Sequence, residues 1–125
     1  MKTKEEILNN LQRFHGSETI YKIPLIQTRY TEGMKYLAEA AECFWLITDV
    51  SAMAKSLLPK SYFITVDFKR LETSENDFSG PVASIEYSDG NGTIFGVQHY
   101  NVTDFPLNRL RLFFVEGTLM LPGEY

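Results

Sequence analysis

The hydrophobic pattern of this chain changes its period once, near residue 60, and this change constrains the fold more than any other feature. Before it, apolar residues recur every three or four positions, which is typical of helices with one buried face. After it, apolar and polar residues alternate, which is typical of strands with one buried face. The sequence therefore predicts a mainly helical part, residues 1–60, followed by a sheet part, residues 61–125.

Three helices are predicted in the first part. Thr3 and Glu6 have the spacing of a capping box, and the first helix is expected to end at residues 15–17. Thr31 is the expected N-cap of a second helix that runs to about Glu42, because its hydroxyl can accept a hydrogen bond from a free amide of the first turn.

A third, mostly buried helix is predicted from Phe44 to Pro59, which closes it because proline lacks an amide proton. Trp45 is expected to lie inside this helix and against the sheet. Between the first two helices, the segment from Ile20 to Tyr30 is rich in branched and aromatic residues. Pro24 interrupts it, so the sequence predicts an irregular edge strand there.

Four or five strands are predicted in the second part. One face of the first is expected to carry Tyr62, Ile64, Val66 and Phe68, and the other Phe63, Thr65, Asp67 and Lys69. The segment Asp89-Gly90-Asn91-Gly92 is a strong hairpin signal, and strands are also expected at 109–115 and 118–121. The chain is predicted to form a single α+β domain, residues 1–125, in which about three helices pack on one face of a four- to five-stranded antiparallel sheet.

Charge and cysteine content narrow the class of protein. The formal net charge of -4 opposes nonspecific attraction to phosphate backbones without excluding a local basic face. The single Cys43 allows no internal disulfide, and the N-terminal segment has no apolar region typical of a signal peptide. We expect a cytoplasmic protein that does not associate with membranes. The sequence does not indicate an oligomeric state.

No motif for a metal or a nucleotide cofactor is present. The two histidines, His15 and His99, are far apart, and neither has the spacing to another ligand that a zinc site requires. Neither glycine-rich phosphate-binding pattern occurs. We therefore predict no metal, no cofactor and no catalytic residues.

The segment from His99 to Asp104 could instead be a catalytic corner, since histidine is the commonest proton-transfer side chain. A small hydrolase or transferase built around these two residues is one alternative. The structural interpretation places His99 at a strand end and Asp104 in a turn, where an aspartate commonly bonds nearby backbone amides. Cys43 lies among helix-core residues and is expected to be structural rather than a nucleophile.

The sheet face opposite the helices is the predicted binding surface. If the helices cover Ile64, Val66, Leu110 and Leu112, that face presents Phe63, Lys69, Arg109, Arg111 and Phe113. Neither arginine has an opposite charge two positions away on its own strand, so both are expected to be free for a partner. Aromatic rings beside arginines can stack bases and bind phosphates, and they can equally anchor a protein. A second alternative is that the two phenylalanines fill a small core under loops.

Five segments carry a resemblance to a known family: GMKYLAE at 33–39, FWLI at 44–47, GNG at 90–92, TDFPL at 103–107 and LPGEY at 121–125. From about residue 14 to 125 the chain resembles a family of small bacterial, plasmid and phage proteins known only as a domain of unknown function. The resemblance transfers no catalytic residue. It implies a mobile-element setting, in which small proteins often bind and disable host defence machinery, as anti-CRISPR proteins do.

The leading hypothesis is therefore a non-enzymatic interaction protein that inhibits a bacterial defence complex, such as an RNA-guided CRISPR nuclease, by binding the effector or its guide RNA. The expected partner is a host defence protein or ribonucleoprotein. A small RNA-binding module that uses the same sheet face is the alternative from another class.

Overall fold

A computed structural model describes residues 2–15, 19–71, 82–100 and 105–125. The helices are α1 (Lys4–Leu11), α2 (Glu32–Ala40) and α3 (Phe44–Ser56). The strands are β1 (Ile20–Ile23), β2 (Thr28–Thr31), β3 (Phe63–Arg70), β4 (Ala83–Ser88), β5 (Ile94–Tyr100), β6 (Arg109–Val115) and β7 (Thr118–Met120), followed by a 3₁₀ turn (Pro122–Glu124). The α+β class and the three helices are confirmed.

Both predicted threonine caps are present. The Thr3 hydroxyl accepts a hydrogen bond from the Glu6 backbone N–H at 3.2 Å, and the Thr31 hydroxyl accepts one from the Met34 N–H at 3.4 Å. Each threonine has an extended backbone, as an N-cap residue requires. The helices that they begin end at Leu11 and Ala40, which is a few residues earlier than the sequence pattern predicts.

The third helix confirms the predicted start at Phe44 but ends at Ser56, before Pro59. The Leu57 N–H bonds to the Ala54 and Lys55 carbonyls and tightens this end of the helix. Trp45 is only half-buried, because it packs on the edge of the sheet, with its ring centroid 5.7 Å from that of Tyr100 on β5. The prediction that Trp45 lies in this helix and against the sheet is confirmed, although its side chain is only partly buried against the core. Its neighbour Leu46 is 1% exposed and belongs to the core itself.

The sheet has seven strands in the order β1-β2-β7-β6-β3-β4-β5, so the prediction of a four- to five-stranded sheet is wrong. The four or five strands predicted after residue 60 are present as five, β3 to β7, and β1 and β2 add the other two. The predicted edge strand from Ile20 to Tyr30 is two strands, β1 and β2, because Pro24 lies in the turn between them. The sheet is also mixed rather than antiparallel, since β2 pairs in parallel with β7 through Arg29 opposite Thr118. A parallel pair of this kind joins segments that are distant in sequence. The alternation of apolar and polar residues predicts a strand but does not indicate which strand it pairs with.

The three helices cover one face of the sheet, as predicted. Fully buried residues of that face include Ile64 and Val66 of β3 and Leu112 and Phe114 of β6. They form one hydrophobic core with apolar residues of the helices. Tyr62, predicted to share this face, lies before β3 and is 69% exposed.

The hairpin predicted at residues 89–92 is confirmed, and it joins β4 to β5. The Asp89 carboxylate accepts hydrogen bonds from the Asn91 and Thr93 N–H groups at 2.7 and 3.0 Å. These bonds to the charged form lower the pKa of Asp89. Gly90 and Gly92 have φ values of 81° and 104°, which a residue with a side chain rarely adopts.

A buried carboxylate ties the 3₁₀ turn to the start of α2. Glu124 accepts hydrogen bonds from the Thr31 hydroxyl at 2.6 Å, the Gly33 N–H at 3.1 Å and the Leu121 N–H at 3.0 Å. A negative charge at a helix N-terminus is favourable, since the free N–H groups carry partial positive charge. This contact limits the positions that the adjacent Tyr125 can adopt.

Candidate binding face of the sheet

The strand register places all five predicted binding residues on the sheet face that none of the described helices covers, which we call the open face. Opposed residues of β3 and β6 form three pairs on it: Thr65 with Phe113, Asp67 with Arg111, and Lys69 with Arg109. Phe63 lies two positions before Thr65 and therefore points to the same side. Successive pairs are about 7 Å apart along the strands.

An aromatic cluster occupies one end of this face. The ring centroids of Phe63 and Phe113 are 4.9 Å apart, and Tyr125 lies 5.2 and 5.9 Å from them, with both of its contacts edge to face. The phenylalanines are half-buried in this cluster, while Tyr125 is 69% exposed. Sequence reasoning did not select Tyr125, although it belongs to the LPGEY segment that contributes to the resemblance.

Arg111 is not free, and the expectation that both arginines lack a partner is wrong for this residue. Its Nε donates to Asp67 Oδ1 at 2.8 Å and its Nη2 donates to Oδ2 at 3.2 Å. This two-point contact raises the pKa of Arg111. The alternation placed Asp67 and Lys69 on one face of β3, but only the cross-strand register shows which of them is opposite Arg111.

Lys69 and Arg109 lie directly opposite each other, and both are exposed. Neither has an ion-pair or hydrogen-bond partner for its side chain in the part of the chain that the structure describes. Like charges directly opposite on neighbouring strands repel, so this arrangement costs stability. An anion between the two side chains would remove that repulsion.

Two depressions lie side by side on the open face. A cavity of about 480 Å³ is bounded by the aromatic pair Phe63 and Phe113 and by the hairpin loop at Asp89 and Gly90. A second cavity, of about 460 Å³, is lined by Lys69 and Arg109 together with Asp67, Arg111 and the apolar Phe68 and Leu110. Its cations outnumber its one carboxylate, which is paired with Arg111. Arg111 lines both, so its ion pair with Asp67 separates an aromatic depression from a cationic one.

The open face is more basic than the whole chain. Among the described residues, the register places these charged side chains on it: Lys22, Arg29, Lys69, Arg109, Arg111, Asp67 and Glu86. Cations therefore outnumber carboxylates there, although the chain has a formal net charge of -4. A surface of this kind attracts an anionic ligand to one side of an acidic protein.

The structure describes one of the two residues of the hydrolase alternative. His99 is exposed on the open face of β5, opposite Ser84 of β4. Asp104 lies outside the described residues. Cys43 is 1% exposed and belongs to the hydrophobic core, so its thiol does not face a cleft.

Metal-ligating side chains are scattered over the part of the chain that the structure describes. It contains no group of three or more His, Cys, Asp and Glu side chains that could hold a metal ion.

Among the described residues, none of the helices has the length and the apolar character needed to cross a bilayer.

These features define an α+β domain with one sheet face covered by helices and one open face that carries aromatic rings beside two cations, Lys69 and Arg109, that are unpaired among the described residues. The family of unknown function DUF6876 matches residues 5–125, and the chain therefore belongs to this family. No curated protein and no solved structure matches it.

We expect the substitution Lys69→Glu to raise the free energy of unfolding by about 0.5 kcal/mol, because an opposite charge would then face Arg109 across the strands. Urea denaturation of the purified protein measures this change. Lys60→Glu is the control, since Lys60 is exposed outside the strands and its substitution changes the net charge equally. A loss of stability in Lys69→Glu relative to this control would show that the two cations do not repel each other.

Proposed function

We propose that this protein is a non-enzymatic interaction protein that acts by binding a partner through its open face. The observation that carries the proposal is the pair of adjacent depressions, one aromatic and one cationic, on a sheet face that the described helices leave uncovered. Aromatic and arginine side chains are the residue types that dominate binding energy at interfaces. The repulsion between Lys69 and Arg109 is a cost to folding that an anionic partner would offset.

The partner that we propose is a bacterial defence complex such as an RNA-guided CRISPR nuclease, which the protein inhibits on behalf of a mobile element. The sequence resemblance to small plasmid and phage proteins supports this choice of partner. A ribonucleoprotein also offers both kinds of group that the open face is suited to bind, namely anionic phosphates and flat apolar surfaces.

A plasmid-transformation assay tests this function in cells, because an active RNA-guided nuclease destroys a plasmid that it targets and an inhibitor would restore transformation. Hosts with an active RNA-guided nuclease and a targeted plasmid would express the wild-type protein, the double variant Lys69→Glu/Arg109→Glu, or the control Lys4→Glu/Lys60→Glu. The control residues are exposed and lie outside the sheet, and their substitution changes the net charge equally. We expect wild type and control to restore transformation by the targeted plasmid. The Lys69/Arg109 variant should give at least about ten-fold fewer transformants than wild type.

His99→Ala is a second comparison in the same assay. Its side chain lies two strands from Lys69, about 10 Å away, so we expect the variant to restore transformation as wild type does. Loss of activity with unchanged folding would favour the enzymatic alternative. Failure of the wild-type protein across a panel of defence systems would contradict the proposed function.

A further inference from the structure

We propose that the open face binds single-stranded RNA, with a backbone phosphate between Lys69 and Arg109 and a base on the cluster of Phe63, Phe113 and Tyr125. This inference rests on the proposed function and names the chemistry that the partner presents. It assigns different parts of a nucleotide chain to the two depressions.

The cationic depression suits a phosphate. Lys69 and Arg109 are opposite each other on neighbouring strands, exposed, and without a partner for their side chains among the described residues. Two side chains about 5 Å apart at Cβ can approach the same phosphate from both sides. Phosphate binding would neutralise their mutual repulsion, whereas a neutral ligand would not.

The aromatic depression suits a base rather than a phosphate. Its charged groups are the Asp89 carboxylate, which repels anions, and Arg111, which is already paired with Asp67. Its wall includes the two half-buried rings of Phe63 and Phe113, and Tyr125 adds a largely exposed ring beside them. Stacking on such rings depends little on the nucleotide sequence, because every base has a flat π face.

The spacing of the two depressions suits a chain of nucleotides. Phe113 and Arg109 are four residues apart on β6, which corresponds to about 13 Å. The Asp67–Arg111 ion pair lies between them and keeps the two subsites separate. A single-stranded segment can place an unstacked base at one end and a phosphate at the other, whereas the bases of a duplex are hidden from the rings.

Fluorescence anisotropy with a short, labelled single-stranded oligouridylate tests the inference on the purified protein. We expect Lys69→Gln/Arg109→Gln to weaken binding at least about ten-fold. The dependence of log K on log salt should also become shallower, by about 0.7 for each phosphate that the variant no longer neutralises. Tyr125→Ala should weaken binding about ten-fold with an unchanged salt dependence, because stacking does not release counterions.

Two controls make the result specific to the open face. Lys4→Gln/Lys60→Gln removes the same charge from exposed positions outside the sheet and should bind as wild type does. A duplex RNA of the same length should bind more weakly than the single strand, although it carries more phosphates. Equal binding of the duplex, or equal salt dependence in wild type and the Lys69/Arg109 variant, would overturn the inference.

The outcomes separate this inference from the proposed function. If the Lys69/Arg109 variant loses inhibition in cells while the purified wild-type protein does not bind RNA, the open face binds a protein surface and the RNA inference is wrong. If RNA binding follows the expected pattern but the wild-type protein inhibits no defence system, the proposed function is wrong and the RNA contact stands.

Discussion

Replacing Glu124 with alanine is expected to lower the free energy of unfolding by about 3 kcal/mol. Glu124 is 8% exposed and accepts hydrogen bonds from the Thr31 hydroxyl and from the Gly33 and Leu121 N–H groups. Alanine would leave these three buried donors without that acceptor, and one unsatisfied buried donor costs about 1–3 kcal/mol. Urea denaturation followed by circular dichroism measures the change.

Two further substitutions show whether the loss comes from these hydrogen bonds. Glu39→Ala removes an exposed glutamate that pairs with Lys35 on α2, and it should cost no more than about 0.5 kcal/mol. Glu124→Gln keeps one carbonyl oxygen but turns an NH₂ group toward an N–H donor, so its cost should lie between those of the other two. A Glu124→Ala protein as stable as Glu39→Ala would contradict the buried role of this carboxylate.

The Glu124 contact also connects stability with the proposed binding face. Tyr125 follows Glu124 directly and contributes the most exposed ring of the aromatic cluster. Anchoring Glu124 at the start of α2 therefore limits the positions that Tyr125 can adopt over Phe63 and Phe113. A rigid ring loses less conformational entropy on binding than a mobile one, which favours affinity.

Local chemistry explains the parts of the fold that the sequence predicted correctly. The hydroxyl of Thr31 caps the helix that begins at the next residue, and the Asp89 carboxylate bonds N–H groups two and four residues later. The alternation from residue 63 onward likewise assigns each side chain of β3 to a face without reference to other strands. These features depend on residues that are close together in the sequence.

The features that escaped prediction depend on residues far apart in the sequence. Thr31 and Glu124 are separated by 93 positions, and Asp67 and Arg111 by 44. The parallel pairing of β2 with β7 likewise joins two distant segments. Alternation shows the face on which Asp67 lies, but the register between β3 and β6 decides whether Arg111 or Arg109 is its neighbour. The candidate face was therefore predicted, whereas its pattern of paired and unpaired charges was not.

Gly33→Ala is expected to lower the free energy of unfolding by about 2 kcal/mol, although alanine is usually the better helix residue by about 1 kcal/mol. A Cβ atom at this position of α2 would lie 2.5 Å from Glu124 Oε1 and 2.7 Å from Leu121 Cδ1. The glutamate cannot turn away without losing its buried hydrogen bonds, so the overlap must be relieved by moving the helix or the 3₁₀ turn. Thermal or urea denaturation would reveal the sign, and a stabilised Gly33→Ala protein would contradict this packing.

A double-mutant cycle identifies the cause of the Gly33→Ala penalty. In the Glu124→Ala background the carboxylate is gone, and the close neighbour that remains is the end of the flexible Leu121 side chain. The added methyl group then has room, so the double variant should be at least about 1 kcal/mol more stable than the sum of the two single losses implies. Additive losses would place the clash on Leu121 rather than on Glu124. Position 33 requires glycine because the Glu124 carboxylate, which caps α2, occupies the space that a side chain would fill.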